Sequence, residues 1–196
     1  MKQLPDLKEL ALKHAGSTAV PDLEIYKLDQ PTELIPLMYE PSVYLILQGE
    51  KRTIIGDKVL DYSGGSCLGI AAELSALGQV TRASVREPFL ALALTINTTK
   101  LADAMRKAPI SEHSGDQSFG LQSASELLIE TWGRLLGILD RPNEIQALDL
   151  FMSRSFYTGF SLDQWGHSWA RLAPRIPIYP AFERRWNSCV NITPNA

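Results

Sequence analysis

From Tyr39 to Gly65 the chain reads Tyr-Glu-Pro-Ser-Val-Tyr-Leu-Ile-Leu-Gln-Gly-Glu-Lys-Arg-Thr-Ile-Ile-Gly-Asp-Lys-Val-Leu-Asp-Tyr-Ser-Gly-Gly. This stretch decides the fold. Ser42 to Leu47 is a dense run of β-formers, apolar at consecutive positions, so it predicts a strand buried on both faces. Gln48-Gly49-Glu50 is a turn, and Lys51 to Ile55 is the returning strand. Gly56-Asp57 turns the chain again, glycine supplying a positive φ at little steric cost. Val59-Leu60 follows, and Asp61 to Gly65 breaks it. Closely spaced strands with glycine turns predict a small antiparallel barrel or sandwich.

Outward from there, Leu23 to Leu28 alternates as a first strand, and Pro31 and Pro36 bracket an edge segment. Ser66 to Ala72, Ala76 to Ala83 and the almost wholly apolar Pro88 to Ile96 continue the series, giving about seven or eight strands before Asn97. Ahead of them, Pro5 to Ala15 predicts an amphipathic helix capped by Asp6 with Glu9 as reciprocal partner. Its charges, from Lys2 to Glu9, exclude a signal peptide. After Asn97, Thr98 or Thr99 opens a short helix through Met105, and Lys107 to Gly120 reads as an exposed polar loop. Ser123 and Glu126 make a capping box for a helix with Leu128, Trp132, Leu135 and Leu139 on one face. Asp140 to Asn143 turns into a second helix bearing Ile145, Leu148 and Met152. Two such helices form an antiparallel hairpin. From Arg154 the periodicity fades among Trp165, Trp169, Trp186 and several prolines.

The 196 residues carry a net charge of −3 and 45% hydrophobic residues. That balance excludes a strongly basic nucleic-acid surface, and no apolar run is long enough for a membrane span. Cys67 and Cys189 lie far apart, which fits a reducing cytoplasm better than a disulfide framework.

Several stretches resemble the N-terminal effector-binding half of AraC/XylS-type bacterial transcription regulators. They are Thr18 to Pro21, Tyr39 to Ser42, Leu47 to Lys51, Gly56-Asp57, Asp61-Tyr62, Gly78 to Val80, and Ile138 to Pro142. The resemblance runs from about Leu10 to Met152. It implies an α+β fold: a cupin-like antiparallel β-barrel (residues 1–97) followed by a two-helix antiparallel hairpin that commonly dimerises (residues 98–153). In the family two helix-turn-helix motifs then bind DNA. Nothing in residues 154–196 reads as one. Read one frame over, Trp186 to Pro194 permits Glu-Phe-Val-Arg-Glu-His-Tyr-Ala, which resembles the first helix of the family's DNA-binding half. Phe156 to Gly166 in that frame permits Leu-Tyr-Arg-Leu-Leu-Ala-Gly-Pro-Met-Gly, which resembles the segment after the hairpin. The expectation is a frameshift near Met152 to Arg154, followed by an irregular tail.

Candidate chemistry is sparse. His14, His113 and His167 lie off the strands, so no metal site or cofactor is expected. Cys67 is a candidate ligand-sensing thiol, or a small buried hydrophobe. Glu40 and Lys51 either clamp a polar ligand or pair across the turn, the second being favoured. Tyr39, Tyr44, Tyr62 and Phe89 are either pocket residues or core, with Tyr44 the first choice for the pocket because it sits mid-strand. Leu128, Trp132, Leu135 and Leu139 are either a dimer interface or packing against the barrel and the second helix, or both. No catalytic constellation is found: phosphate loops are absent, and Ser63 and Ser66 lack a His partner. The expected function is a small-molecule-sensing, homodimerising module of a cytoplasmic bacterial regulator, touching DNA only through a half absent from this chain. The competing expectations are a metal-free cupin enzyme of isomerase type and a ligand-free dimerisation module.

Overall fold

The computed structural model describes residues 3–20, 22–96 and 118–141. The second hairpin helix, the helix expected up to Met105, His113, His167 and the tail fall outside these residues.

Helix α1 (Leu4–Lys13) starts one turn earlier than the Asp6 cap suggested. Asp6 sits inside the first turn, where its carboxylate accepts the backbone N–H of Gln3 at 2.7 Å, as a carboxylate near a helix N-terminus favours. Among the described residues up to 96, nine strands follow: β1 (Gly16–Ser17), β2 (Leu23–Leu28), β3 (Ile35–Tyr39), β4 (Ser42–Gln48), β5 (Glu50–Ile55), β6 (Lys58–Ser63), β7 (Ser66–Ile70), β8 (Leu74–Arg82) and β9 (Phe89–Thr95). A tenth, β10 (Phe119–Ser123), lies partly in the segment expected to be a loop. It pairs antiparallel with β7, Leu121 opposite Leu68. Helix α2 (Glu126–Gly137) then begins at Ser125, whose Oγ accepts the N–H of Leu128 at 3.2 Å. Ser123, the expected cap, is still in the strand.

The expected barrel is corrected. The strands form two antiparallel sheets, a six-stranded sheet A in the order β1-β2-β9-β4-β7-β10 and a four-stranded sheet B in the order β3-β8-β5-β6. Among the described residues no ladder joins the two. The reason lies in the opening stretch. Only Gly56-Asp57 is a hairpin turn, with Ile55 opposite Lys58 and Gly56 at φ 60°. Gly49 is a corner at which the chain leaves sheet A for sheet B, so β4 and β5 are not neighbours. Gly49 has φ 82°, and a Cβ there would lie 2.6 Å from the Arg82 carbonyl oxygen and 2.9 Å from the Phe89 Cα. Only glycine fits such a corner. At Gly64-Gly65 the chain crosses back, with Gly65 N–H donating to the Ile46 carbonyl at 2.8 Å.

Sheet A is covered on both faces, which explains why β4 and β9 read as unbroken apolar runs. Side chains alternate along each strand. Val43, Leu45 and Leu47 of β4 and Leu90, Leu92 and Leu94 of β9 join Leu7, Ala11 and Trp132 in a core beneath the two helices. Ile46 of β4 and Phe89 and Ala91 of β9 point the other way, into a second core between the sheets, where Tyr39, Ile55, Tyr62, Ala76 and Val80 of sheet B meet them.

Candidate functional site between the sheets

The inter-sheet core is where polar and aromatic groups gather. Tyr39 ends β3 and Tyr44 sits in the middle of β4, on opposing sheets. Their rings meet edge to face, with centroids 5.4 Å apart and planes at 79°, the arrangement that the ring quadrupoles favour. Phe89, at the start of β9, and Tyr62, in β6, face the same space, and Tyr26 of β2 packs against it. Three of the sequence-derived ligand candidates, Tyr39, Tyr44 and Phe89, are thus brought together.

Cys67 is not with them. It lies on the other face of sheet A, in the helix-side core with Leu7 and Trp132. Its strand alternates, so Leu68 faces the tyrosines and Cys67 faces away. Cys67 is thus fully buried on the helix side of sheet A, apart from Tyr39, Tyr44 and Phe89.

Lys51, one of the two residues read as a possible clamp on a polar ligand, and Thr53, which the sequence did not single out, complete the polar part. Lys51, Thr53 and Ile55 alternate along β5 with their side chains inward. Lys51 Nζ donates to the Tyr39 hydroxyl at 3.2 Å and stands 5.7 Å from the centre of the Tyr39 ring. The buried Thr53 Oγ1 and the Tyr62 hydroxyl share a hydrogen bond of 2.7 Å. The favoured Glu40–Lys51 pair is not formed among the described residues. The signal for Thr53 was in the sequence, as the inward partner two residues from Lys51 on a period-two strand.

Burial pushes the phenols of Tyr44 and Tyr62 well above the usual tyrosine range, with Tyr39 nearby adding to the shift. Tyr26 is also pushed up, by burial first and then by its hydrogen bond to Glu24. These hydroxyls stay protonated at neutral pH and offer neutral donors and acceptors. Glu40, at the β3–β4 turn, is raised by desolvation and by the neighbouring Glu73 and Asp22. Among the described residues no three His, Cys, Asp or Glu side chains stand together as metal ligands do.

The four residues expected at a dimer interface all turn inward. Leu128, Trp132, Leu135 and Leu139 lie in the helix-side core, Trp132 with no exposed surface. The intrachain alternative accounts for that face of α2. Lys13 Nζ and His14 Nε2, at the end of α1, reach Asp140 Oδ1 at 2.5 and 2.8 Å, just past α2. No helix of the described residues is long and apolar enough to cross a membrane.

Comparison with known proteins places the arrangement in context. A family model described as the N-terminus of AraC-type transcriptional regulators matches residues 19–158. No curated protein matches. Among solved structures, ToxT from Vibrio cholerae strain SCE256 with an unsaturated fatty acid bound has 11% identity and a TM-score of 0.52, over 74% of this chain and 54% of that one. The apo K231A form of ToxT from the same strain has 9% identity and a TM-score of 0.51, over 79% of this chain and 58% of that one. The AraC-like transcriptional activator CuxR has 14% identity and a TM-score of 0.46, over 82% of this chain and 55% of that one. The chain therefore spans a little over half the length of the structures it matches.

Proposed function

Because this chain belongs to the family of AraC-type transcriptional regulator N-termini, we propose that it is the small-molecule-sensing and dimerising part of such a regulator. The ligand is held between the two sheets, at Tyr39, Tyr44 and Phe89. The observation that carries this reading is the composition of that one space: an apolar core whose polar groups, the Tyr39, Tyr44, Tyr62 and Thr53 hydroxyls and the Lys51 ammonium, converge from both sheets. A few placed polar groups in an apolar surround are what a small-molecule site needs. The fatty acid bound to ToxT, a protein of similar fold, supports a sensing role.

A binding module fits better than an enzyme. Burial pushes the inter-sheet tyrosines Tyr44 and Tyr62 far above neutral pH, which leaves them ill-suited to proton transfer there. General acid–base chemistry needs a group poised near the working pH. Homodimerisation is assigned to residues 98–153 and DNA contact to the DNA-binding half of the regulator. The frameshift near Met152 to Arg154 is part of the same reading.

Thermal-shift screening of the chain against small metabolites tests the sensing role. A ligand that raises Tm in the wild type but not in Tyr44→Ala supports it. A silent screen, or a stabilisation indifferent to Tyr44, opposes it. Sedimentation equilibrium tests dimerisation, and sequencing the gene past the stop tests the frameshift.

A further inference from the structure

The polar end of the inter-sheet core holds a positive charge turned inward, the Lys51 ammonium. Lys13, Lys27, Arg52, Arg82 and Arg134 each stand against a carboxylate, of Asp140, Asp29, Asp61, Glu50 and Glu130 respectively. Lys51 has no such partner among the described residues. Its ammonium is turned inward, onto the Tyr39 hydroxyl at 3.2 Å and beside the Tyr39 ring. It passes Gly78 of β8, the Lys51 Cε lying at an ordinary contact distance of 3.6 Å from where a Cβ on Gly78 would sit. A charge held against an apolar core without a counter-charge is unfavourable, and an anion placed beside it relieves that. The neutral Tyr62 hydroxyl with its Thr53 partner borders the same end. Tyr44, Phe89, Ile46 and Leu68 make the apolar surround.

We propose that Lys51 and Tyr39 form an anion anchor, so that the ligand is an organic acid with one carboxylate on a mostly apolar body. This rests on reading the inter-sheet space as the sensing site. Lys51 supplies the charge. The Tyr39 hydroxyl fixes the direction of the ammonium, and its ring caps the charged end.

The test uses the intact chain and two matched pairs of probes, octanoate with octanamide and 3-phenylpropanoate with 3-phenylpropanamide, in calorimetric titrations. Each pair differs in charge and little else. The acids are expected to bind at least about tenfold tighter than the amides, as a charge-assisted hydrogen bond implies. Lys51→Met should abolish that preference with Tm unchanged. Tyr39→Phe, which keeps the ring, should weaken acid binding by about threefold to tenfold and guards against a Lys51 variant that fails to fold. Acids and amides binding equally, or an acid preference that survives Lys51→Met, overturns the anchor and leaves the sensing site standing. Binding by neither acid also overturns it. The sensing reading itself falls only if the wider metabolite screen is silent as well.

Discussion

The two faces of sheet A use the same strands for different ends. On the helix side, Leu45, Leu47, Leu90 and Leu92 meet Leu7 and Trp132 in a core with hardly a polar atom. On the inter-sheet side, one residue along each strand, Tyr44, Ile46 and Phe89 meet Tyr39, Tyr62, Thr53 and Lys51. A core of branched aliphatics gains from close packing alone. A core carrying hydroxyls and an ammonium is held less tightly by packing and leaves chemistry for a ligand to complete. The difference teaches that period-two alternation can give the two faces of one sheet different chemistry, and on the proposed reading it separates stability from recognition.

Breaking the helix side should have the largest effect. Trp132→Ala is expected to destabilise the chain by about 3–5 kcal/mol, read from the shift in urea midpoint. Since it touches the structural face, the ratio of acid to amide affinity in whatever fraction stays folded should not change. Next comes the corner that keeps the two faces distinct. Gly49→Ala places a Cβ against the Arg82 carbonyl at a positive φ, which should destabilise by about 1–3 kcal/mol. A neutral Gly49→Ala would mean that the corner is not the constraint described. On the inter-sheet side, Tyr62→Phe leaves the buried Thr53 hydroxyl without its 2.7 Å partner, an expected loss of about 1–1.5 kcal/mol in equilibrium unfolding.

The smallest effect sharpens the comparison through pH. The carboxyl of Glu40 is raised by desolvation, then by Glu73 and Asp22. A carboxyl whose folded pKa exceeds its unfolded value favours the fold below the unfolded pKa, and this support is lost as pH rises through the folded pKa. Ionised Glu40 therefore weighs slightly against folding at neutral pH. Glu40→Gln should be neutral to slightly stabilising there and should lose that advantage near pH 4, as thermal melts at the two pH values would report. A clear destabilisation at neutral pH would place a favourable partner on Glu40 and break this account.

Much of the fold was legible in the sequence because burial patterns speak through periodicity. β2 was read to the residue. The uninterrupted apolar runs of β4 and β9 announced a sheet covered on both sides. What periodicity lacks is a record of which strand a glycine turn leads to. Gly49 and Gly56 look alike in sequence, yet one is a sheet-to-sheet corner and the other a hairpin. Barrel closure was expected for that reason and is not found among the described residues. β10 was missed because Phe119-Gly120-Leu121 follows a polar, glycine-containing segment, and its strand character comes from pairing with β7. Tyr39, Tyr44 and Phe89, picked out by residue type, do share the inter-sheet core. The face that Cys67 takes was hidden because alternation fixes a face only once the strand's register is known, and the partnership of Lys51 with Tyr39 joins two strands that are not adjacent in sheet B.

The central claim is that ligand recognition belongs to the inter-sheet face of sheet A and stability to the other. Methyl-labelled NMR titration with octanoate tests it most directly. The prediction is that the methyl signals of Ile46, Ile55 and Ile70 move with ligand, while those of Leu7, Leu45 and Leu92 stay in place. Shifts concentrated at Leu45 and Leu92, with the three isoleucines unmoved, would contradict the assignment.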